Sequence, residues 1–246
     1  MEKLEWGFRT TEPERFEDMP LEWYCSSHLQ QVVIEYAGDN YLLARVLRQL
    51  DALLCKHLEL RFIQKNYSEH LKGLLDLTRN CSFRSIHLVV NHTGYPGDGR
   101  SLFARYPKLT RLTIYGARQP YSLRLGQHAI IVSSQKSLKE LTRQKAACYV
   151  VNRNFFCESL RFNPYYNRKA CIDRFGRIKN CLDHKRDFGN VREIALKTIL
   201  TDSSFTSLWH ASPDRIREVK DKAMRYAMLI SARPKPVPGT AEFTLI

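Results

Sequence analysis

From Leu29 to Ala117 the chain alternates short apolar runs with amphipathic stretches, and the two periods separate cleanly. LQQVVIEYA reads as a buried strand, and NYLLARVLRQLDALLCKH then places Leu43, Val46, Leu47, Leu50, Leu53 and Leu54 on one helical face. Asp39-Asn40 ahead of it supplies a helix start. HLELRFI alternates as a strand does, and YSEHLKGLLDLTRN follows as a helix with Ser68 as its candidate N-cap. RSIHLVVN, DGRSLFARY and LTRLTIYG continue as strand, short helix and strand. Strands joined through helices cannot be hairpins, so the β-α-β-α-β-α-β order predicts an α/β domain with a parallel sheet, either doubly wound or an incomplete barrel. HAIIVSS is expected as a further strand and KSLKELTRQK as a short helix or loop.

Beyond about residue 145 the pattern becomes short and irregular. An extended stretch is expected around Val150–Phe162, followed by ACID and RIKNC flanking Arg174-Phe175-Gly176, the chemistry of a tight hairpin with glycine supplying the positive φ. A polar loop, DHKRDFGN, leads to two or three helices in REIALKTIL, SFTSLWH and DRIREVKDKAMRYAMLI, and the tail RPKPVPGTAEFTLI is expected to be extended or frayed. The expected organisation is an N-terminal extended segment (residues 1–27), an α/β domain (28–145), a small irregular α+β appendage (146–232) and a Pro-rich tail (233–246).

Composition narrows the classes. With 246 residues, 43% hydrophobic and 11% aromatic, the chain can bury a real core. No window approaches 18 consecutive apolar residues, and the acidic, polar start lacks the basic and apolar regions of an export signal, so a soluble cytoplasmic protein without membrane contact is expected. The net charge of +14 is local: residues 101–200 hold 20 Lys/Arg against 6 Asp/Glu, and the remainder has 19 of each. Such a block suits nucleic acid, an anionic surface or an acidic peptide, or is only a solvated surface. Arg153, Arg161, Arg168, Lys169, Arg174, Arg177 and Lys179 interleave with Phe155, Phe156, Phe162, Tyr165 and Tyr166, which suits either base stacking or grip on an extended peptide.

Seven cysteines, an odd number and none in a C-x-x-C pair, suggest reduced thiols and write no zinc or Fe-S motif. Cys171 and Cys181 flank the hairpin turn as a candidate disulfide, weak metal ligands or ordinary buried thiols, and Cys148 and Cys157 lie upstream as remote additions to a four-thiol set. His184 is a candidate imidazole ligand or a solvated loop residue, whereas His57 and His87 read as sheet-face or strand-end packing. HTGYPGDG lacks the glycine order of a phosphate loop, leaving Asn91 to Arg100 as a candidate surface after a strand.

ESLRFNPYYNRKACIDRFGRIKNCLDHKRDFGNV followed by LWHASPDRIREVKDKAMRYAMLISAR resembles the SPASM-domain peptide maturases of the grasp-with-spasm and related Bacteroidales systems over roughly 80 residues. The match runs through Asn167-Arg168-Lys169, Ile172-Asp173, Gly176, Ile178 to Cys181 and Phe188-Gly189-Asn190, then Trp209, Asp214, Ile216, Lys220, Asp221, Arg225 and Tyr226. LEWYCSSHLQQVVIEY, LLCKHLELRF and RSIHLVV are similar to a degenerate radical-SAM sheet. The family's cysteines are missing. YAGDNYLLAR, after the first strand, has none of the three thiols that hold a radical-SAM 4Fe-4S cluster. Tyr165, Val219, Lys222, Met228 and Ser231 stand where the SPASM half carries cysteines, and Cys181 alone stays at a ligand-type position. The resemblance therefore implies a pseudo-radical-SAM/SPASM-like protein, non-catalytic and without a cofactor. It would bind a ribosomal precursor peptide and accompany a radical SAM or ATP-grasp modification enzyme, with Asn167, Arg168, Lys169, Arg174, Arg177 and Lys179 as candidate peptide contacts. An active maturase holding a 4Fe-4S cluster on unusual ligands is the alternative, and a basic nucleic-acid-binding module the second.

Overall fold

The computed structural model describes residues 28–63, 68–95, 99–126, 129–142 and 148–246; the N-terminal segment 1–27, Cys25 within it, and residues 96–98 of the glycine-rich loop lie outside the described residues. The alternating half folds in the expected order: strand β1 (Gln31–Tyr36), helix α1 (Asn40–Ala52), β2 (His57–Phe62), α2 (Ser68–Thr78), β3 (Ser85–Asn91), α3 (Gly99–Arg105) and β4 (Leu109–Tyr115). Asp39 starts α1 as expected, its carboxylate accepting from the Leu42 backbone N–H at 2.8 Å. Leu54 departs from the helical face assigned to it. It lies beyond the helix end with φ of 53° and is 51% exposed, because the chain must turn sharply there to enter β2.

Strands β1 to β4 pair in parallel, and every step moves in the same direction across the sheet. Right-handed crossovers that all step one way must set their helices on one face. The core reflects this: Leu47 and Leu50 of α1, Leu71 and Leu75 of α2 and Leu102 of α3 pack with Val32, Ile34, Leu58, Leu60 and Leu88. The alternate residues of the same strands point to the opposite face. The sheet is therefore singly wound and open, not doubly wound.

Past β4 the chain forms β5 (Tyr121–Leu125), which no expectation included, then β6 (Ala129–Ser133) and α4 (Leu138–Thr142). The β6 strand lies parallel to β4, and β5 runs antiparallel along its far side as an edge. Two residues, Cys148–Tyr149, make β7. The stretch expected to be extended is instead a helix, α5 (Arg153–Ser159), because the Asn152 side chain caps it by accepting from the Phe155 N–H at 2.8 Å.

The hairpin of β8 (Lys169–Ile172) and β9 (Ile178–Lys179) forms around Gly176, whose φ is 82° as its turn requires. It does not stand apart in an appendage. The β8 strand lies parallel to β1 and completes an eight-stranded sheet of order β5-β6-β4-β3-β2-β1-β8-β9. The backbone carbonyl of Arg168 fixes that junction by accepting from the N–H groups of Gln30 and Gln31.

Helices α6 (Leu196–Leu200) and α7 (Ser203–Thr206) follow and continue the helical face, with Leu196, Ile199 and Phe205 in the same core as α1. Residues 214–230 are not the helix their length suggested. They run as a 3₁₀ turn at Pro213–Arg215, further tight turns, a 3₁₀ turn at Arg225–Ala227 and β10 (Met228–Leu229), which pairs with β7. Ile216 and Val219 are buried in the core while Asp214, Arg225 and Tyr226 bond one another, so tertiary contacts replace helical ones. The tail is ordered as well. Strands β11 (Pro234–Pro236) and β12 (Phe243–Leu245) pair, Phe243 is buried, and Glu242 holds Arg217 and Lys220. Among the described residues no helix is long and apolar enough to cross a membrane.

Candidate functional site on the open face of the sheet

Because side chains alternate along a strand, the helix-free face carries the residues between the apolar ones. On β2 and β3 these include Glu59, Arg61 and His87, and on β4 Thr113. The Arg61 Nε donates to Glu59 Oε1 at 2.5 Å, His87 Nδ1 lies 3.3 Å from Glu59 Oε2, and His87 Nε2 lies 2.9 Å from Thr113 Oγ1. An ionised carboxylate only accepts, so Nδ1 carries the proton in that contact, and in the neutral ring Nε2 accepts the threonine hydroxyl. Burial alone would raise the Glu59 carboxyl, but the hydrogen bonds and charges of His87 and Arg61 hold it down at about 2. His87, expected as sheet-face packing, is thus the hinge of a polar network. His57 is at the strand end, its Nδ1 2.7 Å from Ser85 Oγ.

The row continues onto the hairpin. Cys171, Lys179 and Lys169 alternate with Ala170 and Ile178 of the core, and Cys171 stands opposite Lys179 in the register. Asp173 organises the turn: its Oδ1 accepts from the N–H groups of Phe175 and Arg177, both at 3.0 Å, and its Oδ2 receives Arg177 Nε at 2.7 Å and Lys179 Nζ at 3.4 Å. Burial opposes its ionisation, yet these donors lower the Asp173 carboxyl below its ordinary range. Burial pushes the Cys171 thiol up to about 12, and the charges of Lys169, Arg61 and Glu59 also act on it, which joins the hairpin electrostatically to the β2–β3 network.

At the positions where the SPASM pattern has cysteines, the side chains meet as follows. The Tyr165 hydroxyl lies 3.8 Å from Cys181 Sγ, Val219 and Met228 are in the core, Lys222 is exposed, and the Ser231 carbonyl accepts from the Tyr166 hydroxyl at 3.0 Å. Both Cys171 and Cys181 are free thiols and do not form the candidate disulfide. Among the described residues, no group of three or more His, Cys, Asp or Glu side chains is arranged to share a metal ion. The His184 ring packs against Tyr166, with centroids 5.8 Å apart. Burial first, then the charge of Arg233, brings its imidazole down to about 4, so it is neutral at neutral pH.

The candidate peptide contacts divide. Lys169, Arg177 and Lys179 come together on the open face. Asn167 does not: it is buried and donates through Nδ2 to Glu158 Oε1 at 2.8 Å, a bond internal to the fold. Arg168, with φ of 50°, serves the β1 junction through its carbonyl, and Arg174 is exposed at the hairpin tip over Phe175. The interleaved basic and aromatic residues do not make one stacking surface, since Lys169, Lys179 and Tyr166 are buried whereas Arg153, Arg161 and Arg174 are exposed. Asn91 caps the short turn after β3 by accepting from the Thr93 N–H at 2.9 Å.

Sequence reasoning missed Glu59, Arg61 and Thr113. The signal was present in HLELRF, where charged residues alternate with leucines in a strand whose apolar face was already assigned. It also missed a shallow cleft at the carboxyl ends of β1 and β8, lined by Glu35, Tyr36, Asp39, Asp173 and Arg174.

No family model matches this chain, and no curated protein matches it in sequence. Among solved structures, the crystal structure of Streptococcus suis SuiB is similar at a TM-score of 0.41 and 10% identity, covering 78% of this chain and 70% of that one.

Proposed function

We propose that this chain is a pseudo-radical-SAM, SPASM-like protein of ribosomal peptide maturation, which binds a precursor peptide for a partner modification enzyme and carries no Fe-S chemistry of its own. The resemblance in sequence supplies the peptide link. The observation that carries the rest is the Tyr165 hydroxyl beside Cys181, with Val219 and Met228 packed in the core: where the pattern calls for thiolates, a phenol and apolar side chains fill the space. Four-thiolate iron ligation needs negatively charged soft sulfur, and none of these three side chains is a thiolate. The partly exposed Glu59, Arg61 and His87 on the face of the sheet opposite α1, α2 and α3 support the reading of an extended peptide there.

Iron and acid-labile sulfide per chain after anaerobic reconstitution test the cluster half of the proposal. No iron is expected. About four irons per chain, lost in Cys181→Ala, would establish a cluster on unusual ligands and overturn it. Selection from a displayed random-peptide library tests the other half. A recurring sequence pattern, displaced by the soluble peptide, is expected; a library that emerges unselected refutes peptide recognition.

A further inference from the structure

Lys169 is the anomaly of the open face. It is only 7% exposed, its Nζ lies 3.8 Å from the Tyr165 ring centroid, and its ammonium has no hydrogen-bond or ion-pair partner among the described residues. A buried ammonium without an anion is costly, and a cation–π contact offsets only part of that cost. Its surroundings add to the positive charge. Lys179, 6% exposed, shares the single Asp173 carboxylate with Arg177, and that carboxylate already accepts four contacts. Arg233, with no ion-pair partner among the described residues, follows Ser231, whose carbonyl accepts from the Tyr166 hydroxyl at 3.0 Å, and the Tyr166 ring lies against both Tyr165 and His184, with centroids 4.9 and 5.8 Å apart. The charges of Arg233, Lys169 and Lys179 act together on the half-buried His184 ring. The other carboxylate acting there, Asp183, is exposed.

We infer that Lys169, Lys179 and Arg233, beside Tyr165 and His184, form a binding site for an oxyanion, and that its source is a carboxylate of the bound peptide, an acidic side chain or the C-terminus. The source rests on the peptide-binding reading; the site does not. Lysine as a point charge and arginine as a planar fork are the usual oxyanion donors, and an anion here would supply the counter-charge that the fold leaves out. Tyr165 fixes the direction of the ammonium through its ring face. The chemistry excludes a cationic or purely apolar ligand, for which Lys169 would be a repulsive wall.

The test is isothermal titration of the full chain at low salt with three probes: a terminally blocked glycine-rich peptide carrying one glutamate, its glutamine counterpart, and inorganic phosphate. The glutamate peptide is expected to bind, with phosphate competing, and Lys169→Met is expected to weaken it about tenfold or more, the loss of one charge-assisted bond. Lys185→Met, an exposed residue of the adjoining loop, should leave binding unchanged. Circular dichroism checks the fold of each variant, and should Lys169→Met not fold, Arg233→Gln serves the same comparison. Equal binding of both peptides, insensitive to these variants, overturns the oxyanion site and leaves peptide binding standing. Phosphate binding that depends on Lys169, without peptide binding, upholds the site and overturns the peptide as its source. Binding of none of the probes overturns the inference altogether.

Discussion

Replacing Glu59 by glutamine removes the charge on which the β2–β3 network closes, and the cost can be worked from the structure. The folded carboxyl sits at about 2 against an ordinary 4.5. Its side chain is 17% exposed, so solvent screening removes little. A difference of about two and a half pKa units corresponds to about 3 kcal/mol favouring the folded state when the group is ionised. The depressed value sets the sign: the stabilisation is complete above the unfolded-state pKa and disappears as pH falls through the folded one. Glu59→Gln should therefore be less stable than the parent by about 3 kcal/mol at pH 7 and by about half that at pH 3. The partner Arg61, 15% exposed, would be left as a buried charge in the variant, which acts in the same direction. Urea unfolding of both proteins at the two pH values reads the difference directly. Equal stabilities at pH 7, or a deficit that stays constant to pH 3, would refute the assigned ionisation and its pairing.

Glu158 carries the opposite sign: burial raises its carboxyl to about 7, so the folded protein should lose stability as pH rises from about 4 through 7, and Glu158→Gln should flatten that part of the profile in thermal melts at pH 5 and 8. Gly176→Ala forces a side chain onto a φ of 82° and places its Cβ 2.8 Å from Asn190 Oδ1; a loss of about 1–2 kcal/mol or more is expected in urea titration, and an unchanged midpoint would mean that the hairpin turn is not strained by a side chain. Leu54→Gly, at an exposed position with φ of 53°, should gain about 1 kcal/mol in the same assay, and a loss would show that the leucine side chain contributes more than its backbone conformation costs.

The elements that were legible are those whose signal is local and repeated. Leu43, Val46, Leu47 and Leu50 mark α1 by spacing, Asp39 marks its start, and Gly176 marks the one place in the hairpin where a positive φ is needed. Where a segment's outcome depends on distant partners, the reading failed. Residues 214–230 have helical spacing, yet Ile216 bridges to Phe243 in the tail, and Arg225 turns back to Asp214 in a contact that helical i,i+3 and i,i+4 spacing does not contain. The tail was expected to be extended or frayed; it is extended, and distant pairing decides which, with Pro234 at an edge position of β11 opposite Leu245. Of the candidate site, the lysines and arginines of the hairpin were visible as types, but not which of them meet.

The amino-acid sequence alone determined the α/β order, the parallel pairing that helical crossovers compel, the hairpin at Arg174-Phe175-Gly176 and the shortage of thiols, since each follows from nearest neighbours in the chain or from composition. Only the tertiary structure decided that β8 lies against β1 and carries the hairpin into the main sheet, because a pairing between residues 31 and 169 has no local signature and forms through burial of Val32, Ile34, Ala170 and Ile172 in one core. That pairing also sets Lys169 and Cys171 on the same face as Glu59 and Arg61, residues about 110 positions away in the chain and brought onto one face by the two-residue alternation of adjacent strands.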